Sequence, residues 1–158
     1  MRALPATVLS ALLLASPAAA DPARDGIVSC LGAMGGTGPT WDRCRAQMFA
    51  ACSTDNPGSD THVACLSAEA DGWETYVDGL RDALLPRLQV DSAVQLTDLM
   101  GHWRGYVVNR CAAVAAANPA AGQSADLGCR ISEYAGLATE LTACSEGRST
   151  EPYCVVTD

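Results

Sequence analysis

The chain has 158 residues, 18 acidic side chains, ten arginines and no lysine, which gives it a formal charge of −8 at pH 7. The lack of lysine excludes Schiff-base and Ser–Lys catalysis. The negative charge disfavours nucleic acid and anionic lipid as partners and favours a basic protein. The length suits one domain with a buried core.

Residues 1–20 have the pattern of a secretory signal peptide, with a charged start at Arg2, a short apolar run and small residues up to Ala20. We predict cleavage after Ala20. The apolar run is shorter than a membrane-spanning helix, and no cysteine follows the cleavage site to carry a lipid anchor. We therefore expect a periplasmic or secreted protein. Without Arg2, its 18 acidic residues and nine arginines give a charge of −9.

Residues 21–58 are predicted to form an N-terminal extension with two short helices. The first covers residues 21–34 and ends at the glycine-rich segment 35–39. Thr40 can cap the second helix, which carries Trp41 on its apolar face.

A longer helix is predicted from about Asp60 to Leu85, because its apolar residues recur every three or four positions. This stripe consists of Val63, Leu66, Ala70, Trp73, Val77, Leu80 and Leu84. The opposite face carries charged residues, among them Glu69, Glu74 and Asp78, and we expect it to be solvated.

The most regular stretch, Ser92–Asn118, predicts a helix about 40 Å long. Ser92 and Gln95 have the spacing of a capping box, and Pro119 prevents the helix from continuing. Its apolar stripe consists of Leu96, Met100, Trp103, Val107 and Val114.

A last helix is predicted to begin with Ser124 as its cap, and the tail of residues 145–158 has no periodicity. The stripe of this helix consists of Leu127, Ile131, Tyr134, Ala138 and Leu141. Since no stretch alternates as a strand does, the predicted fold class is all-α. We expect a small antiparallel bundle of three longer helices, preceded by two short N-terminal helices and stapled by disulfides.

All eight cysteines follow the predicted cleavage site, and an even number in an exported chain indicates disulfides. Eight cysteines can pair in many ways, so the sequence leaves the connectivity open. Our interpretation places one disulfide across the last helical hairpin, one in the tail, one before the first long helix and one within the extension. These pairs are Cys111–Cys129, Cys144–Cys154, Cys52–Cys65 and Cys30–Cys44.

A helical signature is formed by Trp103, by Tyr106 three residues later and by Cys111 eight residues after the tryptophan, with Cys129 as the next cysteine. In these residues the chain resembles the lysozyme inhibitor LprI-like N-terminal domain family, which consists of small exported bacterial helical proteins. The resemblance is clearest between Cys65 and Leu141, and we assign residues 59–144 to such a domain. We expect Trp103 and Tyr106 to fill the bundle and Cys111 to lock it to the next helix.

No motif of a catalytic or metal centre is found, and we predict that the protein is not an enzyme and holds no cofactor. Asp98 and His102 have the spacing of a solvated pair on one helix. A site built from His62, Cys52 and Cys65 matches no zinc-ligand spacing, and cysteines in a disulfide cannot be ligands.

Two functions remain open at this point. The resemblance and the charge together favour an exported acidic protein that binds, and inhibits, lysozyme or another basic wall-active enzyme. The alternative is a structural or envelope-maintenance protein of the periplasm with no lysozyme partner. The sequence does not determine the oligomeric state.

Overall fold

The computed structural model describes residues 56–157, together with eight residues that precede them in the chain. These eight are Gly26, Ile27, Ser29, Cys30, Arg43, Cys44, Ala46 and Cys52. The predicted signal peptide and most of the predicted N-terminal extension lie outside the described residues. Of the two short helices predicted there, the described residues from Gly26 to Cys30 and from Arg43 to Ala46 are helical.

Three long helices form the part of the chain from residue 56 onward: α1 (Asp60–Leu84), α2 (Val90–Ala117) and α3 (Gln123–Ser145). Two 3₁₀ turns, Leu85–Arg87 and Pro152–Cys154, follow α1 and α3. In the described residues, the only strand-like pairing is a single antiparallel bridge between Leu88 and Val156. The all-α prediction is confirmed, and the two connections between helices are five residues each.

Helix α1 begins as its sequence predicts. Ser59 is the N-cap, and its hydroxyl accepts a hydrogen bond from the His62 backbone amide at 3.3 Å. Gly58 before it has a φ of +83°, a conformation that side chains with a Cβ disfavour. Its amide donates to Nδ1 of His62 at 3.0 Å, so this ring stabilises the turn into the helix.

The predicted caps of the other two helices are wrong. Helix α2 begins at Val90, after the extended residue Gln89, and Ser92 lies buried in its first turn. The Ser92 hydroxyl donates to the backbone carbonyl of Pro152 at 3.1 Å, so it holds the C-terminal tail instead of capping α2. Helix α3 begins at Gln123, and the Ser124 hydroxyl donates to the carbonyl of Ala121 at 2.7 Å.

Helix α3 lies between the other two helices and packs against both. Its buried residues are the most numerous of the three helices: Leu127, Ile131, Tyr134, Ala135, Leu137, Ala138, Leu141 and Cys144. Contacts along its length show that α2 runs antiparallel to it, because Cys111 bonds to Cys129 while Trp103, earlier in α2, packs on Tyr134, later in α3. The core therefore lies on two sides of one helix.

All eight cysteines are paired, and the four pairs are those predicted. Cys52–Cys65 joins the N-terminal extension to α1, Cys111–Cys129 joins α2 to α3, and Cys144–Cys154 joins α3 to the tail. The pairs are separated by 10 to 18 residues in sequence. Closing a loop of this size stabilises a fold by about 3 kcal/mol, if the effect is ascribed to chain entropy.

Trp73 and Trp103 differ in burial, and the prediction that Tyr106 fills the bundle is wrong. Trp73 of α1 is fully buried, whereas Trp103 is partly buried and meets the Tyr134 ring edge-on, with 5.2 Å between centroids. Tyr106 does not fill the bundle, since it is 50% exposed. The inward position one turn after Trp103 is taken by Val107, which is 1% exposed, because four residues return more nearly to the same helix face than three.

Trp73→Ala is expected to lower the free energy of unfolding by about 3 to 5 kcal/mol, because it empties a fully buried ring site. Trp103→Ala is expected to cost about 1 to 2 kcal/mol, since its ring is only partly buried and mainly loses the contact with Tyr134. Urea denaturation followed by circular dichroism measures both. Tyr106→Ala is the control and should change the value by less than about 0.5 kcal/mol. A larger loss for Trp103→Ala than for Trp73→Ala would contradict this order.

Candidate binding groove

An open groove of about 490 Å³ lies where α1 ends and α2 begins. We call it the α1–α2 groove, and its lining residues are Leu85, Leu88, Val90, Ala93, Val94, Thr97 and Asp98. Thr97 donates its hydroxyl to the Ala93 carbonyl at 2.8 Å, so that polar group is satisfied within the helix. The surface of the groove is therefore apolar, with one carboxylate at the Asp98 end.

Two valines of this groove are unusually exposed for their type. Val90 is 79% exposed and Val94 is 57% exposed, while Leu88, which also lines the groove, is only 6% exposed. Neither valine belongs to the buried stripe of α2. The sequence did contain a signal for this surface, namely apolar residues that lie off the periodic stripe, but single exposed apolar residues are common and do not identify a site by themselves.

The C-terminal tail holds the groove in place. The Gln89 amide donates to the Val155 carbonyl at 2.9 Å, and the Thr157 amide donates to the Arg87 carbonyl at 2.8 Å. These two hydrogen bonds flank the bridge between Leu88 and Val156. The Cys144–Cys154 disulfide in turn holds the tail to α3. The connection that contains Leu88 is therefore held to α3 through the tail.

Each of the six arginines between residues 56 and 157 forms an ion pair or a hydrogen bond with another group of the protein. Five of the six form ion pairs: Arg81, Arg104, Arg110, Arg130 and Arg148. The sixth, Arg87, donates to the Ser145 carbonyl at 3.0 Å. The same segment has 13 acidic residues, so most of its carboxylates have no arginine to neutralise them.

The carboxylate of Asp78 links α1 to α2 through ion pairs. Its carboxylate accepts from Arg81 of the same helix at 2.9 Å and from Arg104 of α2. A second link between helices pairs Nε of Arg110 in α2 with Glu133 in α3 at 3.1 Å, and Arg110 also donates to the Tyr106 hydroxyl at 2.6 Å. These contacts join helices. None of these arginines forms an ion pair with the Asp98 carboxylate at the groove.

Asp91 and Asp98 are the acidic residues nearest in sequence to the exposed Val90 and Val94. Both are exposed, and neither forms an ion pair with any described residue. The predicted pairing of Asp98 with His102 differs in detail, because Nδ1 of His102 bonds to the backbone carbonyl of Asp98 at 2.8 Å and not to its carboxylate. The Asp98 carboxylate therefore remains available at the rim of the groove.

Glu69 was predicted to be solvated, and this prediction is wrong, since it is only 6% exposed. Cys65, Glu69 and Trp73 follow each other at four-residue spacing and share one face of α1. The disulfide from Cys65 to Cys52 brings Cys52 to that face. Burial raises the pKa of the Glu69 carboxyl to about 7, and a hydrogen bond with Trp73 offsets this only in part.

Trp103 and Tyr134 form an aromatic pair where α2 packs on α3. Burial is the main reason why the pKa of Tyr134 rises to about 12, and a hydrogen bond with Glu74 adds to the rise. The Tyr134 hydroxyl therefore stays protonated at neutral pH. Trp103 packs against the same ring.

The predicted family residues thus separate into different environments. Cys111 and Cys129 form a disulfide, Trp103 lies against Tyr134, and Tyr106 is at the surface beside Arg110. None of the four lines the α1–α2 groove.

Among the described residues, no group of three or more histidine, cysteine or acidic side chains could hold a metal ion. Cys52 and Cys65 are bonded to each other and offer no thiolate to a metal near His62. No helix in the described part of the chain has the length and apolar character needed to cross a membrane.

Comparison with known proteins gives no relative: no protein-family model, no curated protein and no solved structure matches the chain. The resemblance to the LprI-like family therefore stays a prediction from the residues that carry it.

The buried carboxyl of Glu69 predicts how stability depends on pH. The unfolded chain releases this proton near the ordinary value of 4.5, whereas the folded protein holds it up to about 7. The cost of burying the charged form is absent below the lower value, grows as the pH rises and is complete above the higher value. Between about pH 5 and about pH 8, Glu69 should therefore lower the free energy of unfolding by about 2 kcal/mol.

Urea denaturation at both pH values measures this loss. In Glu69→Gln, which cannot ionise, the difference between the two pH values should shrink by that amount, while the exposed-residue control Asp71→Asn should keep the wild-type difference. An unchanged difference in Glu69→Gln would show that Glu69 is ionised at little cost in the folded protein.

Proposed function

We propose that the chain is an exported acidic binding protein that acts on a basic partner, in the manner of the LprI-like lysozyme inhibitors that it resembles. The partner class is lysozyme or another basic wall-active enzyme. The proposed activity is binding and inhibition; the protein itself carries out no reaction and needs no cofactor.

This proposal is supported above all by the bonding of the arginines within the protein. All six between residues 56 and 157 are engaged within the protein. In this segment, the carboxylates outside these ion pairs are, with the exception of Glu69, at least partly exposed to solvent. A surface of one sign steers an oppositely charged protein toward it and raises the rate of association. Many wall-active enzymes need a positive surface to approach an anionic wall, so a negative protein is a suitable competitor for that surface.

Location supports the same proposal. Four disulfides suit an oxidising compartment such as the periplasm or the extracellular space. The predicted signal peptide would deliver the chain there, where wall-active enzymes work. The groove adds an apolar surface with a carboxylate at its rim, which suits protein recognition better than it suits catalysis.

The mature protein, at micromolar concentration, is expected to slow the clearing of a peptidoglycan suspension by lysozyme at low salt. Raising the salt from about 20 mM to about 300 mM shortens the Debye length from about 20 Å to about 6 Å and should weaken inhibition by about tenfold or more. The turbidity of the suspension measures the rate of clearing at each concentration of inhibitor.

An unrelated acidic protein of the same size and net charge is the control, because a general polyanion effect would appear in both. If clearing at low salt is unaffected, the proposal fails for lysozyme. That outcome would favour the alternative of a structural protein of the envelope.

A further inference from the structure

We infer that the α1–α2 groove is a docking site for an amphipathic segment of a partner protein, one that presents apolar side chains next to lysine or arginine. The inference deepens the proposed function, on which it rests for the existence of a protein partner. It assigns the contact to one end of the bundle, away from the residues of the family signature.

Two exposed valines form the apolar part of the proposed site. The buried stripe of α2 supplies the core through Leu96, Met100 and Val107, whereas Val90 and Val94 bury little of their surface within the fold. Exposed apolar surface that is contiguous and bordered by polar groups marks interaction sites. Valine is also stiff at χ1, so ordering it against a partner costs little entropy.

Two exposed aspartates without an ion-pair partner among the described residues form the charged part of the proposed site. Asp91, Val94 and Asp98 are separated by three and four residues, which places them on one face of α2. Arg104 is paired with Asp78, and Arg87, whose guanidinium donates to the Ser145 carbonyl, forms no ion pair with Asp91 or Asp98. A cation from outside would meet two carboxylates beside an apolar surface.

This combination selects among the possible occupants. A second copy of the chain would bring its own Asp91 and Asp98 toward the same surface, and like charges placed together oppose association. An anionic lipid surface is disfavoured for the same reason. A purely apolar ligand would leave the carboxylates unused, whereas an amphipathic basic segment satisfies both features of the groove.

The groove is also prepared for binding before a partner arrives. The bridge between Leu88 and Val156, the hydrogen bond from Ser92 to Pro152 and the Cys144–Cys154 disulfide fix its floor. A preformed surface gives up less conformational freedom on association than a flexible one.

A fluorescein-labelled amphipathic helical peptide made of leucine and lysine is the probe, and fluorescence anisotropy with the disulfide-bonded mature protein measures its dissociation constant. The peptide should bind at low salt. Peptides in which every lysine is replaced by glutamate, or every leucine by serine, should not bind detectably at the same concentrations.

Val94→Asn is expected to weaken peptide binding by about tenfold, because it places an amide in the apolar surface. Its matched control is Val108→Asn, since Val108 is 51% exposed on the same helix and lies outside the groove. Asp98→Asn should weaken binding by about fivefold at low salt and have no effect at about 0.5 M salt, where the charges are screened. Its control is Asp71→Asn, another exposed aspartate.

Equal effects of the groove variants and their controls would overturn the inference. So would a dimer in sedimentation equilibrium that Val94→Asn dissociates, because the occupant would then be a second copy. All four substituted side chains are solvent-facing, and matching thermal melts would show that the variants are folded.

The same variants separate this inference from the proposed function. If Val94→Asn inhibits lysozyme as well as the wild type does, inhibition uses another surface, and the docking site is wrong while the function stands. If the peptide binds in the groove but lysozyme is never inhibited, the docking site stands and lysozyme is the wrong partner.

Discussion

The packing of α3 between α1 and α2 is the constraint on which the rest of this structure depends. A helix covered on two sides must be apolar over a wide arc, and α3 buries both Ala135 and Leu137, which are two positions apart and therefore lie on nearly opposite faces of the helix. Its alanines allow the neighbouring helices to approach closely, although each buries little area. The disulfide from Cys129 to Cys111 then keeps α2 against one of these sides.

The tail has a larger structural role than its lack of periodicity indicates. Pro152 accepts the hydrogen bond of Ser92, and Val156 bridges Leu88, so residues distant in sequence determine where α2 begins. The start of α2 in turn sets the positions of Val90 and Val94 at the surface. The groove is therefore a product of the tail, the connection and the first turns of α2 together.

Charge is divided between the interior contacts and the outer surface. Arginines such as Arg104 and Arg110 connect α2 to Asp78 of α1 and to Glu133 of α3. Partly exposed ion pairs of this kind contribute little to stability individually. Their consequence for function is larger, because each arginine that pairs within the bundle leaves the remaining carboxylates, Asp98 among them, facing solvent unneutralised.

The sequence alone determined the helices, since their periodicity is a property of neighbouring residues, and it also indicated the disulfides by the number of cysteines. The pairing followed correctly because a cysteine near the end of one helix meets one near the start of the next. The predicted start of α1 agreed with the structure because Ser59 and Gly58 act on their own turn. Such features depend on contacts within a few residues.

Only the tertiary structure decided which side chains are covered by distant parts of the chain. Glu69 lies on a face that is polar by sequence, but it is only 6% exposed, on the same face of α1 as Cys65, which is bonded to Cys52. Tyr106 was expected in the bundle from the family signature, yet its ring is 50% exposed, and the inward position belongs to Val107 of the predicted stripe. Val94 is apolar, yet 57% of its surface is exposed to solvent. Burial depends on what packs over a residue, and a helical repeat contains no information about that partner.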